Sequence, residues 1–192
     1  QSALLALGEE DNPTELALRL DYRIEHILVD EFQDTAVTQF ELLHSLTRGW
    51  GEYNKQNPQA PRTLMIVGDA MQSIYAFRGA NVGLFLRARQ EGFNGVVLQH
   101  LSLRCNFRSQ AGVVDWVNDT FRQAFPARDD ESRSQVSFRP ATAVRGPGQE
   151  PAVVAHGFIG ADAREREVAF VCDEISQAIG REVGSIAVLA CS

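Results

Sequence analysis

The stretch that decides the fold is ILVDEFQDT, Ile27 to Thr35. A short, β-branched apolar run over 24–29 reads as a buried strand, and it ends in two adjacent acids, Asp30 and Glu31. Open α/β sheets place ligands at the C-terminal ends of their strands, which is where this pair stands. One carboxylate there can hold Mg²⁺, usually through water, and the next can orient an attacking water. The same acids also fit a plainer role. Asp34 and Thr35 precede a helix over 38–46, and the positive end of a helix favours acidic caps.

Downstream lies LMIVGDAMQSIYAFRGA, Leu64 to Ala80. A second buried strand over 63–67 closes in Gly68-Asp69, and a turn follows that gathers Gln72, Ser73, Tyr75, Phe77 and Arg78. Aromatic rings interleaved with arginine suit single-stranded nucleic acid, because every base offers a face to stack on. The alternative is that Tyr75 and Phe77 are core and Arg78 is surface. A third segment, LSLRCNFRS, Leu101 to Ser109, leaves a strand expected within 95–103. An arginine so placed can stabilise charge on a transferring phosphoryl group. It can equally be a strand-end arginine bound to a carboxylate.

Around these segments the pattern alternates. Helical pieces over 4–20 break at Asn12-Pro13, with Thr14 a cap for the second. A Gly/Asn/Pro-rich loop is expected over 49–61, a helix over 82–89 ending near Gly92, and a helix over 110–125. Residues 126–150 read as a linker with one short strand at 136–138. A strand (152–158), a helix (163–179) and a strand (186–190) follow. Strands alternating with helices predict an α/β layered fold with a mostly parallel sheet.

Composition sets the bounds. The 192 residues suffice for one core, or one domain with part of another. The net charge is −7, but residues 1–35 carry all of it. Residues 78–108 hold five arginines, Arg78, Arg87, Arg89, Arg104 and Arg108, against the single acid Glu91. Such a local basic stretch is what a phosphate-contacting surface needs, although a solvated helix face has the same look. The three cysteines are odd in number and lack metal-ligand spacing, which argues for a reducing, cytoplasmic setting and against a zinc site. No apolar run is long enough to cross a membrane, and no secretory signal pattern opens the chain. The first residue is Gln1, and the chain is read as a piece of a longer protein.

Each segment alone is ambiguous; their order and wording together resemble the UvrD/Rep-type superfamily 1 DNA helicases. DEFQDT resembles the family's motif II, GDAMQSIYAFRGA its motif III and LRCNFRS its motif IV. ALRLDYRIEHILVDEFQDT and GDAMQSIYAFRGANVGLFLRAR lean towards the RecB/AddA-like branch. The resemblance is close over 21–125 and weaker over 152–190. It implies a RecA-like parallel sheet flanked by helices, as part of a P-loop motor domain, and the start of a second RecA-like domain. Residues 1–20 would end an inserted helical subdomain. Residues 21–126 would be the later part of the first motor domain, 127–150 a linker, and 151–192 the start of the second.

The implied roles follow position by position. Asp30 would coordinate Mg²⁺, with Glu31 beside it as a metal-site carboxylate and the catalytic base. Gln33 and Asp34 would support the site and link it to the DNA path. Gln72 would sense the γ-phosphate of ATP, Phe107 would lie against the adenine, and Arg108 would be an arginine finger. Tyr75, Phe77 and Arg78 would contact single-stranded DNA; many relatives carry Trp at Phe77 and Tyr at Phe107. The implied activity is ATP-driven 3′-to-5′ movement on DNA. A nuclease domain or subunit is the partner that the RecB/AddA-like branch brings into view.

The departures matter as well. No GxxxxGK[ST] occurs, and the single lysine, Lys55, sits in GEYNKQNPQAP. No phosphate loop can be built from this chain, so the chain alone is expected not to hydrolyse ATP. The resemblance places the missing loop's strand between the strand at 63–67 and the one within 95–103. Those two edges are therefore expected to pair directly, or to be closed by 186–190 or by a neighbouring copy. Two other functions fit parts of the pattern. One is a stand-alone pseudo-helicase module that binds DNA or protein. The other is a nuclease using Asp30, Glu31 and Asp34 as metal ligands, for which Lys55 is a poor catalytic lysine.

Overall fold

The strand that carries Asp30 and Glu31 pairs in parallel with the strand that ends in Gly68-Asp69, so both site-bearing turns leave the same end of one ladder. The computed structural model describes residues 2–9, 12–148, 151–181 and 184–190, without the side chains of Glu9 and Arg78. The chain divides into two compact units, Gln1–Gly148 and Gln149–Ser192.

In the first unit α1 (Ser2–Leu7) is followed by a short antiparallel pair, β1 (Gly8–Glu9) and β2 (Asn12–Pro13). Thr14 caps α2 (Glu15–Arg23) by accepting from the Ala17 N–H at 3.3 Å, as its position before Glu15 predicts. Next come β3 (His26–Val29) and α3 (Val37–Leu46), the latter opened by Gln39 Oε1 accepting from the Ala36 N–H.

The expected loop over 49–61 instead contains a helix, α4 (Trp50–Gln56). Gly49 takes the left-handed conformation, φ 74°, and turns the chain so that Trp50 is fully buried. That burial outweighs the weak helix propensity of a Gly/Asn-containing segment. Arg62 lies over the Tyr53 ring, its guanidinium carbon 4.4 Å from the centroid, and pairs with Asp21. It thereby ties α2 to α4.

β4 (Thr63–Ile66) follows, then α5 (Val82–Glu91), which Asn81 caps and Gly92 ends at φ 67°. The core lies between the β3–β4 ladder and α3 and α5. It contains Phe32, Phe40, Leu43, Leu64, Leu84, Ala88 and Phe93, with Ile27, Val29 and Ile66 against it. Phe32 is its centre: fully buried, with the rings of Phe85, Phe40 and Phe93 at 5.9, 6.4 and 6.5 Å. A ring so buried contributes about 3–5 kcal/mol relative to alanine.

Four expected strands are corrected. The segment 97–104 forms no ladder; the strand begins later, as β5 (Cys105–Gln110). After α6 (Ala111–Ala124) the short strand foreseen at 136–138 is absent. β6 (Thr142–Arg145) instead pairs in parallel with β5. In the second unit α7 (Ala163–Gly180) is as expected, but 152–158 and 186–190 have no ladder partner among the described residues. Apolar β-branched composition gives a segment its strand propensity, not the neighbour that a ladder needs.

Closure of the sheet by a strand of the same chain is likewise not found among the described residues. Among the described residues β4 pairs only with β3, and neither 97–104 nor 186–190 joins its free edge. The segment 97–104 runs from fully buried Phe93 to the β5–β6 ladder. Val97, Leu101 and Leu103 are left exposed. The result is a mixed α/β unit with small parallel ladders. Among the described residues, no helix is long and apolar enough to cross a membrane.

Candidate functional site

The acidic turn is built by one buried ring and one buried amide. Phe32 plunges into the core directly after Asp30 and Glu31, and its N–H donates to Val67 O at 3.0 Å. Those anchors force Glu31 into the left-handed region, φ 52°, with its N–H held by Asp30 Oδ1 at 2.9 Å. A non-glycine residue there carries strain of about 1–3 kcal/mol, which persists only because the surroundings fix it. Asp30 and Glu31 are thereby both exposed at the end of β3.

Gln33 is buried beneath them. Its Nε2 donates to Glu31 Oε2 at 2.6 Å, and its Oε1 accepts from the Asp69 N–H at 3.0 Å. Asp69 opens the second turn. Its Oδ1 accepts from the Met71 N–H at 2.9 Å and its Oδ2 from Gln72 Nε2 at 2.8 Å. The Ser73 hydroxyl donates to Gln33 O at 3.3 Å. The two turns are thus joined by side chains as well as by the ladder.

Beyond Gln72 the chain makes a helical turn, Ala76–Arg78, that Gly79 closes at φ 84°. An antiparallel bridge between Ala80 and Ala36, and the Asn81 N–H donating to Thr35 O, tether it to the acidic turn. The Tyr75 and Phe77 rings lie 5.9 Å apart at 55°, and Phe77 is 78% exposed. Phe77 is therefore not core. The Arg78 side chain lies outside the described residues.

On the third segment Asn106 Oδ1 accepts from the N–H groups of Arg108 and Ser109 at 2.9 and 2.8 Å. This side-chain turn coincides with an irregularity in the β5–β6 register and leaves the Phe107 ring 68% exposed. Phe107, Arg108, Arg104, Cys105 and Gln72 line one open depression.

Gln72 is therefore the meeting point. It is hydrogen-bonded through Asp69 and Gln33 to Glu31 on one side, and it shares a depression with Phe107 and Arg108 on the other. The buried Oδ1 of Asp34 has no hydrogen-bond partner among the described residues. No three His, Cys, Asp or Glu side chains converge among those residues, so Asp30, Glu31 and Asp34 form no common cage. Sequence reading left Phe32 and Asn106 unassigned. The signal for Phe32 was a large aromatic between acids, and for Asn106 a side-chain acceptor two residues before the arginine.

Residues 3–92 match the family described as the UvrD/REP helicase N-terminal domain. The chain is 35% identical over 143 residues to an ATP-dependent helicase/nuclease of Exiguobacterium sibiricum, covering 74% of this chain and 11% of that protein. It is 30% identical over 158 residues to the ATP-dependent DNA helicase UvrD1 of Mycobacterium leprae, covering 82% of this chain and 18% of the relative. The RecB component of the RecBCD enzyme of Escherichia coli is 35% identical over 108 residues, covering 56% of this chain and 8% of RecB. The chain belongs to the UvrD/Rep-type superfamily 1 helicases. It spans between 8% and 18% of the length of these relatives.

Proposed function

We propose that this chain supplies part of the ATP-hydrolysing, strand-contacting machinery of a DNA helicase that moves along single-stranded DNA. In this reading, residues 21–126 belong to a first RecA-like motor domain and 151–192 open a second. The observation that carries it is the position of Gln72, bonded towards the acidic turn and facing the depression that holds Phe107 and Arg108.

The donor set suits a nucleotide with its divalent cation. Asp30 would hold Mg²⁺ through water, Glu31 would take a proton from the attacking water, and Phe107 would offer a ring face to the base. Gln72 and Arg108 would meet the terminal phosphate, Arg108 neutralising charge that develops there. Bound Mg²⁺ would supply charge neutralisation on the phosphate oxygens. Tyr75 and Phe77 would stack on bases of the strand, with Arg78 on its phosphates. Because both turns leave one ladder, a change at the nucleotide reaches the strand-contacting turn over a few residues. The likeness to the Exiguobacterium sibiricum helicase/nuclease supports a nuclease domain or subunit in the working assembly.

The test is steady-state ATP hydrolysis with and without single-stranded DNA. The full-length protein carrying this segment is expected to turn over ATP faster with DNA. The 192-residue chain alone, with no GxxxxGK[ST], is expected to bind ATP·Mg²⁺ weakly and show no stimulated turnover. Robust turnover by the chain alone, abolished by Glu31→Gln, would contradict the reading.

A further inference from the structure

We propose that Gln33 is a positioning residue: its buried amide sets the Glu31 carboxylate and couples it to the turn that carries Gln72. This rests on the reading of Glu31 as the base for ATP hydrolysis.

The geometry leaves the amide one orientation. A carboxylate oxygen only accepts and a backbone N–H only donates, so Nε2 must face Glu31 Oε2 and Oε1 must face the Asp69 N–H. Both ends are committed, and at 2% exposure water has little access to replace either bond. The bond to Glu31 is charge-assisted and short, at 2.6 Å. Glu31 itself is exposed and sits on a strained backbone, so the other carboxylate oxygen is left to the solvent side, where a water would be held.

Asp69 extends the connection. The residue whose N–H holds the Gln33 amide is the residue whose carboxylate holds Gln72 Nε2. A shift of the Asp69–Gln72 turn therefore moves the acceptor end of Gln33, and the rigid amide carries the shift to Glu31. Gly68 makes room for it. A Cβ at that position would stand 2.6 Å from Gln33 Oε1 and 3.1 and 3.3 Å from the backbone nitrogens of Phe32 and Gln33, so its closest conflict is with the amide.

The experiment uses the full-length protein with Gln33→Ala, Gly68→Ala and the double variant, measuring kcat and KM for ATP with single-stranded DNA, and thermal melting. Each single variant is expected to lower kcat by about tenfold or more, the scale of lost supporting hydrogen bonds, with KM near that of the unaltered protein; Gln33→Ala is also expected to lower melting, because the Asp69 N–H loses its acceptor. The double variant is expected to fall by less than the product of the two singles, because the shortest contact of the Gly68→Ala methyl is with the Gln33 amide. A merely structural role would lower melting and leave kcat per folded molecule unchanged. Effects that multiply, or normal kcat in either folded single variant, would overturn the proposal. If Gln33→Ala does not fold, Gly68→Ala decides alone: normal kcat overturns, reduced kcat at normal KM supports. Glu31→Gln in parallel separates the two claims, since retained turnover there refutes the base assignment whatever Gln33 does.

Discussion

Leu28 stands opposite Met65 in the parallel β3–β4 ladder, and both side chains are exposed, at 68% and 60%. Their neighbours Ile27, Val29, Leu64 and Ile66 pack into the core from the other face. Parallel sheets are ordinarily covered on both faces, so this face is bare apolar surface. Replacing Leu28 and Met65 by threonine is expected to reduce concentration-dependent light scattering of the 192-residue chain. Its stability should change by no more than about 0.5 kcal/mol. Unchanged scattering would place self-association elsewhere.

Asp129 fastens the segment after α6 to α5. Partial burial pushes its carboxyl up, but the Ser137 N–H, the Arg89 guanidinium and the Ser137 hydroxyl outweigh that and hold it well below the ordinary carboxylate range. With the folded value below the unfolded one, this stabilisation is present above the unfolded pKa of about 3.9 and is lost as pH falls towards the folded value. Asp129→Asn is expected to cost about 2 kcal/mol at neutral pH and to flatten the acid limb of a melting-temperature profile. An unaltered acid limb would mean that Asp129 contributes nothing to it.

Tyr75 and Phe77 present a tilted ring pair near the acidic turn. In the full-length protein, Tyr75→Ala and Phe77→Ala are each expected to weaken single-strand binding by about 1–3 kcal/mol. Arg78→Ala is expected to flatten the salt dependence of binding by about one phosphate contact. Affinity and salt slope unchanged in all three would remove this turn from the DNA path.

The parts legible in the sequence were those fixed by local chemistry. Thr14 caps one helix and Gly92 ends another where their positions predict, and β3 and β4 follow from two apolar runs that each end in an acid. What escaped depended on distant partners. Trp50 makes α4 worth forming only because its ring is buried, and its surroundings read as loop. Residues 97–104 have the composition of an interior strand but no neighbour to pair with among the described residues, while β5 forms on polar residues because β6 lies alongside. In the site, the residue types were readable. The connection from Glu31 through Gln33 and Asp69 to Gln72 spans two turns far apart in sequence, and only the ladder register brings them together.

Arg108 shares its depression with Phe107 and Gln72, and its backbone is set by Asn106. Arg108→Ala in the full-length protein is expected to cut ATP turnover by about a thousandfold or more. Asn106→Ala is expected to lower it less, by loosening the turn. Near-normal turnover in Arg108→Ala would take the arginine-finger role away from this residue.

Glu31, held by Gln33 at the end of β3, is the residue on which the proposed chemistry turns. The direct measurement is single-stranded-DNA-stimulated ATP hydrolysis by Glu31→Gln in the full-length protein, with nucleotide affinity measured alongside. The predicted result is ATP binding close to that of the unaltered protein and turnover reduced by at least about a hundredfold, the contribution of a positioned general base. Stimulated turnover within a few-fold of the unaltered protein would contradict the assignment of this acidic turn to ATP hydrolysis.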